Sequence, residues 1–140
     1  MMNSSVTVSA ELGLSLVVPE HGSVPLVASL FYSADDPYAI RMAFHVGTDE
    51  PVEWIFARDL LAVGLEGPAG EGDVRVWPGT DHGRELLNIA LSSPFGEAHF
   101  EAPRSSLAAF LGRTYEVIAP GDESDHIDVD AELDELLWRA

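Results

Sequence analysis

Histidine is the residue type in this chain best suited to bind a metal or transfer a proton near neutral pH, because its ordinary pKa is about 6.5. The five histidines are His21, His45, His82, His99 and His126. No two of them have the HxxxH spacing, or a similar spacing, that places two imidazole ligands on one helix face. The sequence therefore predicts no zinc motif, although distant segments could still assemble a site.

An acidic run near the C-terminus contains enough carboxylates to suggest calcium binding. Its members are Asp122, Glu123, Asp125, Asp128, Asp130 and Glu132. The run lacks the DxDxDG order and the bidentate glutamate at the twelfth position of a calcium-binding loop. Acidic residues also stabilise the N-terminus of a helix. We therefore interpret the run as a solvated loop that leads into a helix.

The glycine-rich stretch GPAGEG at residues 67–72 differs from the common phosphate-binding motifs. It matches neither GxGxxG nor GxxxxGKS/T, and the chain has no lysine that could act as a P-loop lysine. The GxSxG motif of a serine nucleophile is absent, and so is cysteine. We therefore predict no catalytic, cofactor-binding or metal-binding residues, and we do not expect an enzyme.

Tryptophan and arginine are concentrated in the segment Val52–Pro78, which holds two of the three tryptophans and two of the seven arginines. Trp54 and Phe56 have the same parity on a predicted strand, so we expect both to pack in the core. Arg75 and Trp77 lie at the end of the next predicted strand, beside loops. Core packing and interface use are both open for these two residues.

Arginine and tryptophan are enriched among the residues that dominate binding energy at protein interfaces. On this basis we predict that Arg75, Trp77 and Arg58 are surface residues that bind a partner. Arg58 is also placed where it could pair with Glu53 across the junction between the strand and the following helix.

Hydrophobic periodicity predicts the elements that position these residues. From Val6 to Val18 apolar residues alternate with polar ones, which is typical of a strand with one buried face. The stretch Pro19–Pro25 is rich in turn residues. Further strands are predicted at Leu26–Tyr32, Tyr38–Val46, Val52–Ala57, Asp73–Trp77, Leu86–Ser92 and Glu97–Ala102.

Helical spacing of apolar residues occurs at three places. Leucines at helical spacing follow the fourth strand, an apolar stripe follows Pro103, and a last helix is predicted at about Ala131–Arg139 with Asp130 as its cap. Short turns between consecutive strands imply antiparallel pairing. The predicted fold is α+β, with mainly antiparallel sheets in two strand-set–helix units plus a C-terminal helix. One domain is expected to cover residues 1–140.

The charge balance limits the classes of partner. With 24 acidic and 7 basic residues the formal net charge is −17, which repels phosphate backbones and anionic lipids. No apolar run approaches the roughly 20 residues of a membrane-spanning helix. The N-terminal residues lack the basic and apolar regions of a signal peptide. We expect a soluble cytoplasmic protein that has no nucleic-acid partner and does not insert into a membrane.

Five sequence blocks together resemble the SsgA-like proteins, which are small acidic regulators of sporulation-specific cell division in actinobacteria. The similarity runs in family order over nearly the whole chain and is greatest to the SsgB branch. The blocks are DPYAIRMAFH (36–45), VEWIFARDLLAVGL (52–65), GDVRVWP (72–78), ALSSPFGEAHFEAP (90–103) and FLGRTYEVIAPG (110–121).

The resemblance implies a non-enzymatic adaptor that helps to position the septum. It implies recruitment of the tubulin-like division protein FtsZ together with an SsgA-type protein, and hence a location at the division septum. It also implies a homo-oligomer, namely a trimer, with a fold similar to the whirly-type binders of single-stranded nucleic acid. No catalytic residue is transferred from the family.

The fold analogy leaves single-stranded nucleic-acid binding as the alternative function. Such binding needs a positively charged groove with interleaved aromatic side chains. A small-molecule or hydrolase site would need polar residues that converge in a deep cavity. The sequence shows no constellation of residues for the latter.

Overall fold

A computed structural model describes residues 6–47 and 50–126 of the chain. Within these residues the chain forms seven strands, two α-helices and a short 3₁₀ helix. In chain order they are β1 (Val8–Val18), β2 (Gly22–Ser33), β3 (Asp36–His45), β4 (Val52–Ala57), α1 (Arg58–Gly64), β5 (Val74–Asp81), β6 (Arg84–Ser93), β7 (Gly96–Pro103), α2 (Arg104–Val117) and the 3₁₀ helix Glu123–His126.

The seven strands form one sheet in the order β4-β3-β2-β1-β7-β6-β5, and every pair is antiparallel. Strands β1–β4 form one meander, which is followed by α1, and strands β5–β7 form a second, which is followed by α2. The meanders meet where β1 pairs with β7 at Ser15–Glu101 and Leu16–Phe100. The predicted α+β class with two strand-set–helix units is confirmed.

The sheet is strongly curved. The rings of Phe44 on β3 and Phe100 on β7 stack with their centroids 4.3 Å apart, although β2 and β1 lie between these strands in the sheet. In a flat sheet, strands that are three positions apart would be separated by about 14 Å. The sheet therefore curls until β3 and β7 approach each other across its concave side. Both helices contribute side chains to the core that the sheet encloses.

Alternation along the strands explains which face is buried. On β1, Val8, Leu12 and Leu14 are buried and the intervening Glu11 is exposed. Paired residues on neighbouring strands continue the same face, as Leu12 does with Ala28. The predicted strand with one buried face is therefore confirmed. The buried face is the concave side of the sheet, which is directed toward α1 and α2.

Two hairpins are longer than the sequence predicts. The turn expected at Pro19–Pro25 is restricted to the first residues, and β2 already begins at Gly22. Pro25 pairs with Ser15 of β1, and in the described residues β3 joins β2 only from Val27 onward. The proline, which has no N–H to donate, therefore lies beyond the doubly paired part of β2.

The second long hairpin joins β5 and β6. Strand β5 runs to Asp81 rather than Trp77, and β6 begins at Arg84 rather than Leu86. The connecting residues His82 and Gly83 both have positive φ, at 50° and 80°. Positive φ at both central positions is the geometry of a type I′ turn, which matches the twist of two paired strands. The sequence PGTD suggests a loop, but here it continues the ladder.

The predicted last helix at Ala131–Arg139, with its cap Asp130, lies outside the described residues. In residues 6–47 and 50–126, no helix is long and apolar enough to cross a membrane.

Candidate interaction surface

Arg75 and Trp77 project from the convex face of the second meander. Arg75 pairs with Ala90 of β6, and Ala90 pairs with His99 of β7. The intervening Val76 is buried in the core on the concave side. Because strand side chains alternate between faces, Arg75 and Trp77 both point away from the core. Arg75 is exposed and Trp77 is half-buried.

The indole of Trp77 is held by its neighbours on the same face. The ring centroids of Trp77 and His99 are 5.4 Å apart. An imidazole nitrogen of His99, Nε2, lies 2.8 Å from Oδ1 of Asn88. The amide Nδ2 of Asn88 in turn donates to the Trp77 carbonyl at 3.4 Å. The His99 ring restricts the indole and the Asn88 amide holds the backbone at Trp77, so a partner that meets this side chain would have less to order than at a free one.

The glycine-rich loop after α1 borders this surface. The N–H of Ala69 donates to the Val76 carbonyl at 2.8 Å, and the Val76 N–H donates to the Ala69 carbonyl at 2.9 Å. The loop and β5 enclose a shallow depression of about 290 Å³, lined in part by Arg75 and Trp77. The predicted residues Arg75 and Trp77 thus both line this depression on the convex side of the sheet.

Arg58 does not lie at the surface, so the surface position predicted for it is wrong. Its side chain is 2% exposed and lies at the start of α1. Nη1 donates to the carbonyls of Thr114 at 3.3 Å and Ile118 at 2.8 Å. Nη2 donates to Oε2 of Glu123 at 2.7 Å. A cation at the C-terminal end of α2 also interacts favourably with the helix dipole.

Two tyrosine rings flank the Arg58 guanidinium. Its Cζ lies 5.1 Å from the ring centroid of Tyr32 and 4.9 Å from that of Tyr115. Burial raises the pKa of both phenols, against the opposing effect of Arg58. The hydrogen bond from Arg58 lowers the pKa of the Glu123 carboxyl. We call Arg58, Tyr32, Tyr115 and Glu123, with the two carbonyls, the Arg58 cluster.

The Arg58 cluster changes two further expectations. Glu53 does not pair with Arg58, because its Oε2 lies 3.8 Å from Nε of Arg41. Glu123 does not belong to a solvated loop, since its side chain is 13% exposed. The part of the acidic run beyond residue 126 lies outside the described residues. One signal pointed to the burial of Arg58: it has i, i+3 and i+7 spacing to Leu61 and Leu65, both of which are buried.

Trp54 and Phe56 lie as expected. Phe56 is buried, and Trp54 is half-buried and packs against the core.

Other described arginines also have carboxylate or carbonyl partners. Arg104 is 3.0 Å from Oε1 of Glu66, and Arg113 donates to the Ser9 carbonyl at 3.0 Å. These pairings reduce the free positive charge that could line a nucleic-acid groove. Across residues 6–47 and 50–126, no group of three or more His, Cys, Asp or Glu side chains could hold a metal ion.

The sequence matches the model of a family described as "Streptomyces sporulation and cell division protein, SsgA" over residues 26–123. The chain belongs to the SsgA family. Its relatives include the sporulation-specific cell division protein SsgB of Thermobifida fusca, which is 59% identical over 98% of this chain and 99% of that one. The SsgB of Streptomyces coelicolor is 53% identical over 95% and 97%. The resemblance found in the five sequence blocks is thereby confirmed.

Solved structures show the same fold in the SsgA family. An SsgA-like sporulation-specific cell division protein from Thermobifida fusca superimposes with a TM-score of 0.85 at 59% identity, over 96% of this chain and 98% of that one. A structure from work on SsgB mutations and longitudinal cell division in sporulating Streptomyces coelicolor gives 0.84 at 52% identity, over 90% and 99%.

Proposed function

We propose that this chain is a sporulation-specific cell division protein that acts as a non-enzymatic adaptor and helps to position the septum by recruiting FtsZ. The observation that supports this most directly is the similarity to SsgB proteins over almost the entire length of both chains. A match of that extent means that the elements which shape the surface are shared, and not the core alone.

The proposed contact with FtsZ is the convex surface at Arg75 and Trp77. Arg75 is exposed on β5, and the half-buried indole of Trp77 packs against the His99 ring. A charged guanidinium beside a rigid aromatic ring is typical of the residues that contribute most to binding. On a chain with net charge −17, an exposed arginine also favours an acidic site on the partner.

Oligomerisation would strengthen a contact of this modest size. A homo-oligomer, as the family resemblance implies, would present several identical copies of the surface to a polymer. Linked contacts of that kind raise the overall affinity without new interactions at any single site. An SsgA-type protein would act beside it at the division septum.

Charge reversal at Arg75 tests the proposed contact. We expect Arg75→Glu to weaken co-sedimentation with polymerised FtsZ by at least about tenfold, as loss of a dominant interface residue does. Arg84→Glu is the matched control, because Arg84 is an exposed arginine at the far end of the same hairpin, opposite Asp81. The free energy of unfolding of both variants should lie within about 0.5 kcal/mol of that of the unaltered protein, since both residues are exposed.

Equal co-sedimentation of the Arg75→Glu variant and the unaltered protein would exclude this surface. Equal losses in both variants would indicate a general effect of net charge. If the unaltered protein itself failed to co-sediment, direct FtsZ recruitment would be wrong.

A further inference from the structure

The carboxylate of the Arg58 cluster comes from the segment that follows α2. We call residues 119–126, which include the 3₁₀ helix with Glu123, the strap. Oε2 of Glu123 accepts a hydrogen bond from Nη2 of Arg58 at 2.7 Å. Among residues 119–125, Glu123 is the one that is not exposed. An otherwise exposed segment is thus attached to the core through one acidic side chain.

The strap has few other bonds to the rest of the protein. The N–H groups of Asp122 and Asp125 have their acceptors inside the strap, and the N–H of Gly121 donates to Oε1 of Glu123. The 3₁₀ helix lies beside β3. Among the described residues, however, the bond between Arg58 and Glu123 is the one hydrogen bond that joins the strap to the rest of the chain. The attachment of the strap therefore depends on a single ion pair.

The site that receives Glu123 is formed by other elements. The two carbonyls that hold Nη1 of Arg58 are at the end of α2, and the two flanking tyrosine rings come from β2 and α2. None of these groups belongs to the strap. Departure of Glu123 would leave the guanidinium in place, with Nη2 lacking its acceptor. A buried cation without an anion is costly, so the site would favour a second anion in place of the first.

The chemistry of the site favours a carboxylate. A guanidinium is always charged in proteins, and its planar donors match the oxygens of a carboxylate. Glu123 itself shows that a carboxylate fits between the donor and the strap backbone, since one oxygen meets Nη2 of Arg58 and the other meets the N–H of Gly121. The structure therefore shows which class of group covers this site.

We propose that the Arg58 cluster is a carboxylate-binding site which the strap closes from within the chain, and that an acidic segment of a partner protein can replace Glu123 there. In the closed state Arg58 is not accessible to another molecule. Exchange of one carboxylate for another keeps the buried cation paired, which avoids the penalty of an unpaired charge. The proposal depends neither on FtsZ recruitment nor on the surface at Arg75 and Trp77.

Tethering gives the strap an advantage over any partner. A group on a short linker has an effective concentration on the order of millimolar at its site. A partner must therefore add further contacts, or the strap must be weakened, before the exchange is measurable. The tests use the second condition.

Glu123→Ala tests whether the strap opens as a unit. Backbone order parameters are measured by ¹⁵N relaxation on the full-length chain. We expect the values at residues 122–125 to fall from about 0.85 to below about 0.6, while those of α2 stay unchanged. Asp122→Ala is the matched control, because it removes an exposed acidic side chain from the same strap. The control should leave all of these values unchanged.

A peptide copy of the strap tests the site. The peptide is acetyl-Ala-Pro-Gly-Asp-Glu-Ser-Asp-His-amide, the sequence of residues 119–126. It is titrated into the ¹⁵N-labelled Glu123→Ala chain while the side-chain N–H signals of Arg58 are followed. We expect saturable shifts and binding at least about tenfold tighter than to the unaltered chain, whose own strap fills the site. A second peptide with glutamine in place of the glutamate should bind at least about tenfold more weakly, since it lacks the charge.

Several outcomes would overturn the proposal. Order parameters that stay unchanged in Glu123→Ala, or that fall equally in Asp122→Ala, would show that this ion pair does not hold the strap. Complete unfolding of Glu123→Ala would show that the strap does not open separately. Equal affinity for the two peptides, or no saturable shift, would exclude a carboxylate site. A fall in molar mass by light scattering in Glu123→Ala alone would show that Glu123 binds a second copy instead.

Discussion

The two arginines of the segment Val52–Pro78 are separated by one helix and one loop, and their surroundings are opposite. Arg58 is 2% exposed, and backbone carbonyls, a carboxylate and two aromatic rings surround its guanidinium. Arg75 is exposed on the convex face of β5. One arginine links distant parts of the chain to each other, whereas the other is available to another molecule.

The difference shows that sequence proximity and residue type do not decide what an arginine does. A buried guanidinium must have its donors satisfied, so its partners are built into the fold. An exposed one keeps its water and can exchange it for a partner's acceptors. Loss of Arg58 should therefore reduce stability, whereas loss of Arg75 should reduce binding and leave stability unchanged.

The largest expected effect comes from Arg58→Met, which keeps an apolar stem of similar length and removes the charged head. We expect a loss of roughly 3 kcal/mol in the free energy of unfolding, because the buried carbonyls of Thr114 and Ile118 lose a donor and Glu123 loses its cation. Urea denaturation at pH 7 measures it. Arg75→Met is the control and should remain within about 0.5 kcal/mol. Similar losses in both variants would remove the distinction between the two arginines.

A smaller loss of stability is expected from a substitution at Gly64. At this residue the last turn of α1, the helix of Arg58, meets β5, the strand of Arg75. A Cβ at this position would lie 2.5 Å from Cγ1 and 2.7 Å from Cβ of Val76. Gly64→Ala should therefore cost about 1–2 kcal/mol, since the overlap outweighs the better helix propensity of alanine. Gly67→Ala is the control, because a Cβ there would meet nothing within 4 Å. Thermal unfolding of both variants decides whether α1 and β5 are in tight contact.

The smallest effect concerns pH and the Arg58 cluster. The pKa of Glu123 is lowered in the folded chain from its ordinary value of 4.5, chiefly by the hydrogen bond from Arg58. Its stabilising contribution is therefore present above that ordinary value and is lost as pH falls through the lowered pKa. The stability difference between the unaltered protein and Glu123→Gln should shrink in acid. Urea midpoints between pH 7 and pH 3 test this, with Glu116→Gln as a control that should show no such change.

The strands of this fold could be predicted from the sequence because alternation is a local property. The parity of Val8, Leu12 and Leu14 follows from burial on one face alone, and β4 was predicted with its observed bounds. The ends of the long hairpins were missed, since pairing across the His82–Gly83 turn extends the strands through Pro78 and Gly79. The residue types of a short stretch do not show that it will pair with the strand on the other side of the turn.

The burial of Arg58 was not predicted because it depends on partners far along the chain. Thr114, Ile118 and Glu123 lie 56 to 65 residues away from Arg58. Their approach requires α1 and α2 to pack against the same concave sheet. The exposure of Arg75 follows from a local rule instead, since it neighbours the buried Val76 on one strand. Residue type and proximity to loops selected both arginines. The alternation of β5 agrees with the exposure of Arg75, whereas tertiary packing decided the burial of Arg58.

The pairing of Ala69 with Val76 has a consequence for assembly into fibres. Strands β4 and β5 are the two edges of the sheet, and an edge with free N–H and C=O groups can add a strand from another copy. The loop occupies both groups of Val76, the third residue of β5. Addition of a strand from another copy is thereby blocked along the first part of β5, and addition through β4 alone would stop at a pair of copies. A chain proposed to act on a polymer would thus be prevented from polymerising itself.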